Sequence, residues 1–242
     1  MKHPRINSIA TRMLALLLGA MLSSLVFAEA AGSVTHLSGP LLARKADGTT
    51  RILSQKSAVE SGDLLVTEKD TYARVKFTDN SEITLKPNTQ IKIDAFLFDQ
   101  AKPEADSAIF NLLKGGLRAL TGLVGKRGNQ DSYKLKAPAA TIGIRGTDFL
   151  ADLTPQGNLF VEVLQGAVEV RTDTGILPLT QGQIGFAQNM FTPPVVVPVR
   201  PPEVPRFQPP PSFNAPIPQP GQAAPPPSPS SGEGRRVDCE VR

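Results

Sequence analysis

Asp148 and Asp152 stand four residues apart, just after an arginine set between two glycines in Gly143-Ile-Arg-Gly-Thr-Asp148. Two carboxylates about 5 to 10 Å apart are all that glycoside hydrolysis requires. On an extended strand the two share a face but lie about 13 Å apart. Asp63, Asp79, Asp94, Asp106 and Asp131 offer other pairings, yet a sugar ring is usually met by aromatic faces, and the chain has no Trp and only 2 Tyr. A carboxylate hydrolase is therefore the weakest of the functional classes considered. Nucleophilic triads fare worse. With His3 inside an export-signal pattern, His36 is the one histidine left for a Ser-His-Asp or Cys-His arrangement, and it sits within an alternating strand pattern. No cluster of His, Cys and acidic residues has metal-ligand spacing. The glycines around Arg145 lack the Gly-x-Gly-x-x-Gly spacing of a phosphate cradle, and a strand rather than a helix follows them. The sequence thus reads as a non-enzyme, with no catalytic residue, cofactor or metal expected.

What Gly143, Arg145, Gly146, Thr147 and Asp148 do mechanically can be read from parity. Ile142 and Ile144 are apolar at even positions, whereas Phe149, Ala151 and Leu153 are apolar at odd ones, with Leu150 out of phase. A one-residue change of face within a continuous strand is the signature of a β-bulge. Gly146 is the natural site for it, since glycine takes positive φ without steric cost. Arg145 beside that bulge reads as a clasp on Asp148 or Glu162, or else as a ligand anchor.

The surrounding elements are strands. Ala73, Val75 and Phe77 alternate with Arg74 and Lys76, Ile83 and Leu85 with Glu82 and Thr84, and Ile91 and Ile93 with Lys92. Turn-forming Thr78-Asp79-Asn80-Ser81 and Lys86-Pro87-Asn88-Thr89 join them into a meander. Further strands are expected at 34–44, 51–53, 63–67, 133–137, 141–153, 159–163, 167–171 and 176–179. Between 105 and 124 the apolar residues fall near helical spacing, but Gly115, Gly116 and Gly122 interrupt them. Each glycine costs a helix about 1 kcal/mol relative to alanine, so strands are expected at 108–114 and 117–120, with a loop from 121 to 131. Leu37-x-Gly39, Leu113-x-Gly115 and Leu164-x-Gly166 form a weak repeat that suggests a recurrent bend. The fold class expected is all-β: an antiparallel two-sheet sandwich or β-roll, with a short solenoid-like stack as the alternative.

Three regions flank or contain these strands. Residues 1–30 read as a signal peptide, with Lys2, Arg5 and Arg12 ahead of an apolar run from Met13 to Phe27. That run is short of the ~20 residues of a membrane span. The expected location is the periplasm or cell envelope, with membrane contact confined to the signal. Residues 32–187 form the β domain, of a size that supports one core. Residues 188–242 are expected to be a disordered tail: 16 of the 23 prolines lie between Pro193 and Pro229. Loss of Lys2, Arg5 and Arg12 lowers the formal charge from +4 to +1, or to +2 if Glu29 leaves as well. No basic stripe of a nucleic-acid binder remains. Cys239 is the single cysteine, so no intrachain disulfide is possible.

Several segments in order resemble the FecR domain, an exported bacterial module. They are Gly62-Asp63-Leu-Leu-Val-Thr67, Ala73-Arg-Val-Lys-Phe-Thr-Asp79-Asn-Ser81 leading into Ile83-Thr-Leu85, and Leu113-Lys-Gly115-Gly-Leu-Arg118. Thr141-Ile-Gly-Ile-Arg145-Gly146-Thr147-Asp-Phe149, Val163-Leu-Gln-Gly166-Ala-Val-Glu-Val170 and Leu179-Thr-Gln-Gly182-Gln183 complete the set. The resemblance covers roughly residues 32–186. It implies an all-β domain outside the cytoplasmic membrane that acts as a protein-interaction or sensing module in signal transduction, without catalytic residues. Full transducers of this kind carry a cytoplasmic sigma-regulating region and a further periplasmic domain, to which nothing here corresponds. Neither direct sigma-factor control nor iron transport is therefore implied. The expected partner is an envelope protein, or alternatively a cell-wall glycan such as peptidoglycan. The candidate contact is the loop from 118 to 131, where Leu120, Leu123 and Val124 stand beside Arg118, Lys126 and Arg127. The same leucines could instead cap the core.

Overall fold

A computed structural model describes residues 30–127 and 131–214. The expected signal peptide before Ala30, Cys239 and the tail beyond Asn214 lie outside the described residues. The first eight strands are β1 (Ala30–Leu37), β2 (Leu41–Arg44), β3 (Thr50–Leu53), β4 (Ala58–Glu60), β5 (Leu64–Thr67), β6 (Ala73–Phe77), β7 (Glu82–Leu85) and β8 (Gln90–Leu97). They are followed by β9 (Ser107–Leu120), β10 (Tyr133–Lys136), β11 (Thr141–Leu153), β12 (Leu159–Arg171), β13 (Ile176–Thr180), β14 (Ile184–Ala187) and β15 (Val195–Val197). Apart from two short 3₁₀ turns, no helix forms among the described residues. The chain is all-β, as the alternation of apolar and polar residues predicts.

All 15 strands are hydrogen-bonded into one continuous network. Every pairing is antiparallel except that of β9 with β10, which run parallel, so the sheet is mixed. Continuity comes from three long strands that change partners partway along. The first half of β9 lies against β8 and β10, and its second half against β7 and β11. Likewise β11 passes from β10 to β9, and β12 from β14 to β13. The changes occur at Gly115, Gly146 and Gly166, whose φ values are 79°, 64° and 86°. Segments expected as separate strands, 108–114 with 117–120 and 159–163 with 167–171, are therefore single bent strands. Conversely, the stretch 34–44 breaks into β1 and β2 around Gly39.

The phase slip at Gly115 also explains the helix-like spacing of this region. Ala108, Phe110 and Leu112 face the core at even positions, then Leu117 and Ala119 at odd ones. In β11 the slip falls where parity places it: the register with β12 shifts between Arg145 and Asp148. Ile142 and Ile144 before it, and Phe149 and Ala151 after it, all enter one hydrophobic core. Gly166 sits across from this bulge. A Cβ there would lie 2.7 Å from Thr147 Cγ2 and 2.8 Å from the Gly146 carbonyl oxygen, so the two strands approach through the missing side chain.

The segment from 188 to 214 departs from the expected tether. Its first strand, β15, adds to the edge of β14, and the rest lies along the outer side of the sheet with Val204 4% and Phe213 1% exposed. Such a chain has too little apolar surface to fold alone, but it has no need to: the β-body supplies a surface already in place.

Candidate functional site

Register places five side chains of five strands in one row on the outer face. Arg74 of β6 is opposite Thr84 of β7, Thr84 opposite Arg118 of β9, Arg118 opposite Leu150 of β11, and Leu150 opposite Glu162 of β12. Directly opposed residues point to the same side of a sheet, and so do residues two further along. Hence Asp148 and Asp152 flank Leu150 on this face. Asp152 is opposite Phe160, and Phe160 opposite Phe186 of β14. Leu150, out of phase with the core, is buried here together with Phe160, outside the main core cluster.

The charges of this face are matched locally. Arg118 donates through Nε and Nη2 to the two carboxylate oxygens of Asp148, at 2.9 and 2.6 Å. That hydrogen bond holds the guanidinium above its usual pKa, against the effect of burial. Lys86, just past β7, donates its ammonium to Asp152 Oδ1 at 2.5 Å and to the Pro205 carbonyl at 2.8 Å. Burial pushes its pKa below the ordinary lysine value, and Asp152 only partly offsets this. Arg200 spans Asp152 Oδ2, at 2.9 Å, and Glu162. Burial alone would lower its pKa, but the hydrogen bonds to Glu162 and Asp152 outweigh burial and raise it.

Residues 198–213 cover this face as a strap. Besides Arg200, the strap offers the Phe213 carbonyl to Arg74 Nη1 at 2.9 Å. The Phe213 ring lies 5.4 Å from His36 and 6.2 Å from Tyr72, so the histidine of the body lines the strap. Phe207 meets Tyr72 edge-on at 6.0 Å and lies under the Arg118 guanidinium at 5.8 Å. Beside residues 203–206 opens a groove of about 750 Å³, floored by Gly115 and Gly116 and walled by the turn after Asp152. Lys114 and Arg206 reach into it, together with Glu203 and Gln90.

The residues singled out in sequence fall into one neighbourhood. Thr147 accepts hydrogen bonds at its carbonyl from Thr121 N and Oγ1, and its N–H donates to Thr121 Oγ1 at 2.7 Å, tying the bulge to the start of the 118–131 loop. Gly143 sits between Lys134 of β10 and Glu169 of β12. Arg145 does not clasp Asp148 or Glu162. Among the described residues it has no ion pair or side-chain hydrogen bond, and it is exposed. The cause is geometric: β9 pairs with β11 only as far as Asp148, so Arg118 stands diagonal to that carboxylate while Arg145 lies beyond the end of β9. Glu162 is taken by Arg200.

The patch expected on a 118–131 loop divides, and Arg118 and Leu120 belong to the end of β9 rather than to the loop. Leu120 and Leu123 are 45% and 38% exposed and Lys126 is exposed beside them, whereas Val124 is 1% exposed and belongs to the core. Arg127 is spent on Asp106 at 3.0 Å and on the face of Phe98 at 4.6 Å. The loop is anchored by buried Asp79, whose Oδ2 accepts from Val124 N and whose Oδ1 accepts from Ser81. Strap residues Arg200, Val204, Phe207 and Phe213 escape a reading based on composition, as do Arg74 and Lys86. The one local sign of them is Leu150, an apolar residue on a face that should have been wet.

Among the described residues no three His, Cys, Asp or Glu side chains converge as metal ligands. No curated protein matches the sequence. Among solved structures, two crystal structures of a "putative anti-sigma factor" from Parabacteroides distasonis ATCC 8503, at 2.50 and 1.65 Å, are similar. Their TM-scores are 0.43 and 0.44 at 13% identity, over 55% of this chain and 58% of theirs, so the match spans less than two thirds of those chains. Residues 63–169, from the residue before β5 through most of β12 and including the bulge and the 118–131 loop, match the family model described as FecR protein. This chain therefore carries the domain of the FecR protein family.

Proposed function

We propose that this FecR-domain protein is an exported, non-enzymatic module of the cell envelope that binds a protein partner and takes part in signal transduction. The family match over residues 63–169 carries this reading. The charge pattern of residues 1–30 supports export. The state of the carboxylates supports binding over catalysis. Asp148 is held by Arg118, and Asp152, which also lines the groove beside residues 203–206, by Lys86 and Arg200, so both carboxylates are already engaged by cations. Leu120 and Leu123 beside Lys126 form the proposed contact, an apolar patch with a cationic edge next to the bulge.

Fractionation of cells expressing the tagged full chain, followed by capture from envelope extract, tests both parts. The expected result is recovery in the envelope fraction and a captured protein that is lost with Leu120→Glu/Leu123→Glu. Retention of the chain in the cytoplasm, or sedimentation with purified peptidoglycan and no protein recovered, would overturn it.

A further inference from the structure

We propose that the outer face under residues 198–213 is a docking site for an extended protein segment presenting an arginine followed by aromatic side chains. In this chain its own strap fills that site. The proposal rests on the protein-binding reading above and names a second surface and the chemistry of its partner.

The strap is dispensable to the core. Every member of the main hydrophobic cluster lies between Ala31 and Ala187, and Val204 and Phe213 are buried outside it. Residues 198–213 also make no main-chain ladder with the body. Among the described residues their backbone-to-backbone bonds are the local turns Val204 N to Pro201 O and Phe213 N to Pro210 O. They are held as a peptide ligand is held, by side chains of the body gripping backbone carbonyls and by anchors dropped into the face. Lys86 and Arg74 take the carbonyls of Pro205 and Phe213. Seven prolines between Pro198 and Pro211 keep the segment extended, so little ordering entropy is lost on docking.

The site's preference follows from its charges. Without Arg200, Glu162 would lose the cation that pairs with it and Asp152 would keep only the ammonium of Lys86. A planar guanidinium that bridges both acids restores the balance, which a point-charge ammonium does less well. Tyr72, His36 and the Arg118 guanidinium then offer a surface for rings further along. The groove beside residues 203–206 gives an incoming segment space to land before the strap is displaced. An intrachain occupant at an effective concentration on the order of 1 mM competes with any such partner. With an intrinsic Kd of ~10 μM for the strap itself, it weakens the apparent affinity of a competing segment by about 100-fold.

A fluorescent synthetic peptide with the sequence of residues 195–214, titrated into the full chain and into full-length Arg200→Glu/Phe213→Ser, tests the proposal. Binding to the variant at least ten-fold tighter than to the unaltered chain is expected, with no binding to either by a peptide carrying Arg200→Glu. Equal binding to both chains, or equal binding by the charge-reversed peptide, would overturn it. If the variant fails to fold, hydrogen exchange on the unaltered chain decides. The Val204 and Phe213 amides should exchange by local opening well before those of β11. Exchange only on global unfolding would make the strap part of the fold and end the proposal. A stable dimer of the unaltered chain in light scattering, with straps exchanged, would assign the face to a second copy instead. The peptide assay contains no envelope component, so its failure leaves the proposed function standing, and failure of envelope capture leaves the strap result standing.

Discussion

Strand β11 is buried on both faces, but by different means. Its inner face, with Ile142, Ile144, Phe149 and Ala151, packs into a continuous apolar cluster drawn from nearly every strand. Its outer face, with Asp148, Leu150 and Asp152, is covered by arginines, a lysine and a proline-rich strap. The inner surface opens only if the sheet comes apart. The outer one opens when a single segment lifts, since ion pairs of Arg200, carbonyls gripped by Lys86 and Arg74, and the rings of Phe207 and Phe213 hold that segment in place of a main-chain ladder. One strand thus carries a face that makes the fold and a face that can exchange its cover.

The difference predicts unequal costs for two equally buried rings. Phe149→Ala should lower stability by about 3–5 kcal/mol in urea denaturation, the range for a phenyl ring removed from a packed core. Phe213→Ala removes a ring just as buried, at 1% exposure. Yet the strap can detach while the body stays folded, which caps the global cost at about 2 kcal/mol, below the upper end of the transfer free energy of a buried ring. Equal costs would mean that the strap is core.

The bulge that exchanges the two faces gives the second test. Alanine at Gly146 meets nothing nearer than Lys126 Cγ at 3.5 Å, so its cost is that of the left-handed backbone alone, about 1–2 kcal/mol. Alanine at Gly166 adds overlap with Thr147 and with the Gly146 carbonyl, neither at the end of a long flexible side chain. Overpacking of this kind costs a further ~1–3 kcal/mol. Thermal melts should therefore rank Gly166→Ala as the more damaging. The reverse order would mean that the strands do not approach through Gly166.

Much of this was legible in the sequence, because the information is local. Alternation placed β6, β7, β8 and β11, and the parity change between Ile144 and Phe149 located the bulge at Gly146. The Leu-x-Gly repeat marks bends at Gly115 and Gly166, although the local pattern does not distinguish one bent strand from two strands. What escaped depends on partners distant in sequence. Arg118 lies 30 residues from Asp148, and Arg200 lies 38 and 48 residues from Glu162 and Asp152. Pro-rich residues 188–214 carry too little apolar surface to fold alone, but a segment laid on a preformed surface has no need to. Leu150 already recorded that surface as a break in phase.

The smallest effect separates the two arginines nearest the bulge. Arg118→Ala leaves the Asp148 carboxylate, 11% exposed, without its bidentate partner, and an unpaired buried carboxylate is costly. Because the Arg118 side chain is itself 42% exposed, water can reach the vacated position, and the expected loss is about 1 kcal/mol. Arg145→Ala removes an exposed side chain with no ion pair among the described residues, and should change stability by less than about 0.5 kcal/mol. Arg118→Lys adds resolution, since a lysine keeps the charge but loses the fork, and should recover only part of the loss. Chemical denaturation of the three variants at low and high salt measures this directly. The Arg118 effects should shrink as salt rises, while that of Phe149→Ala should persist. If Arg145→Ala proves the more damaging, the clasp on the outer face belongs to Arg145, and the strand would have to turn at a residue other than Gly146.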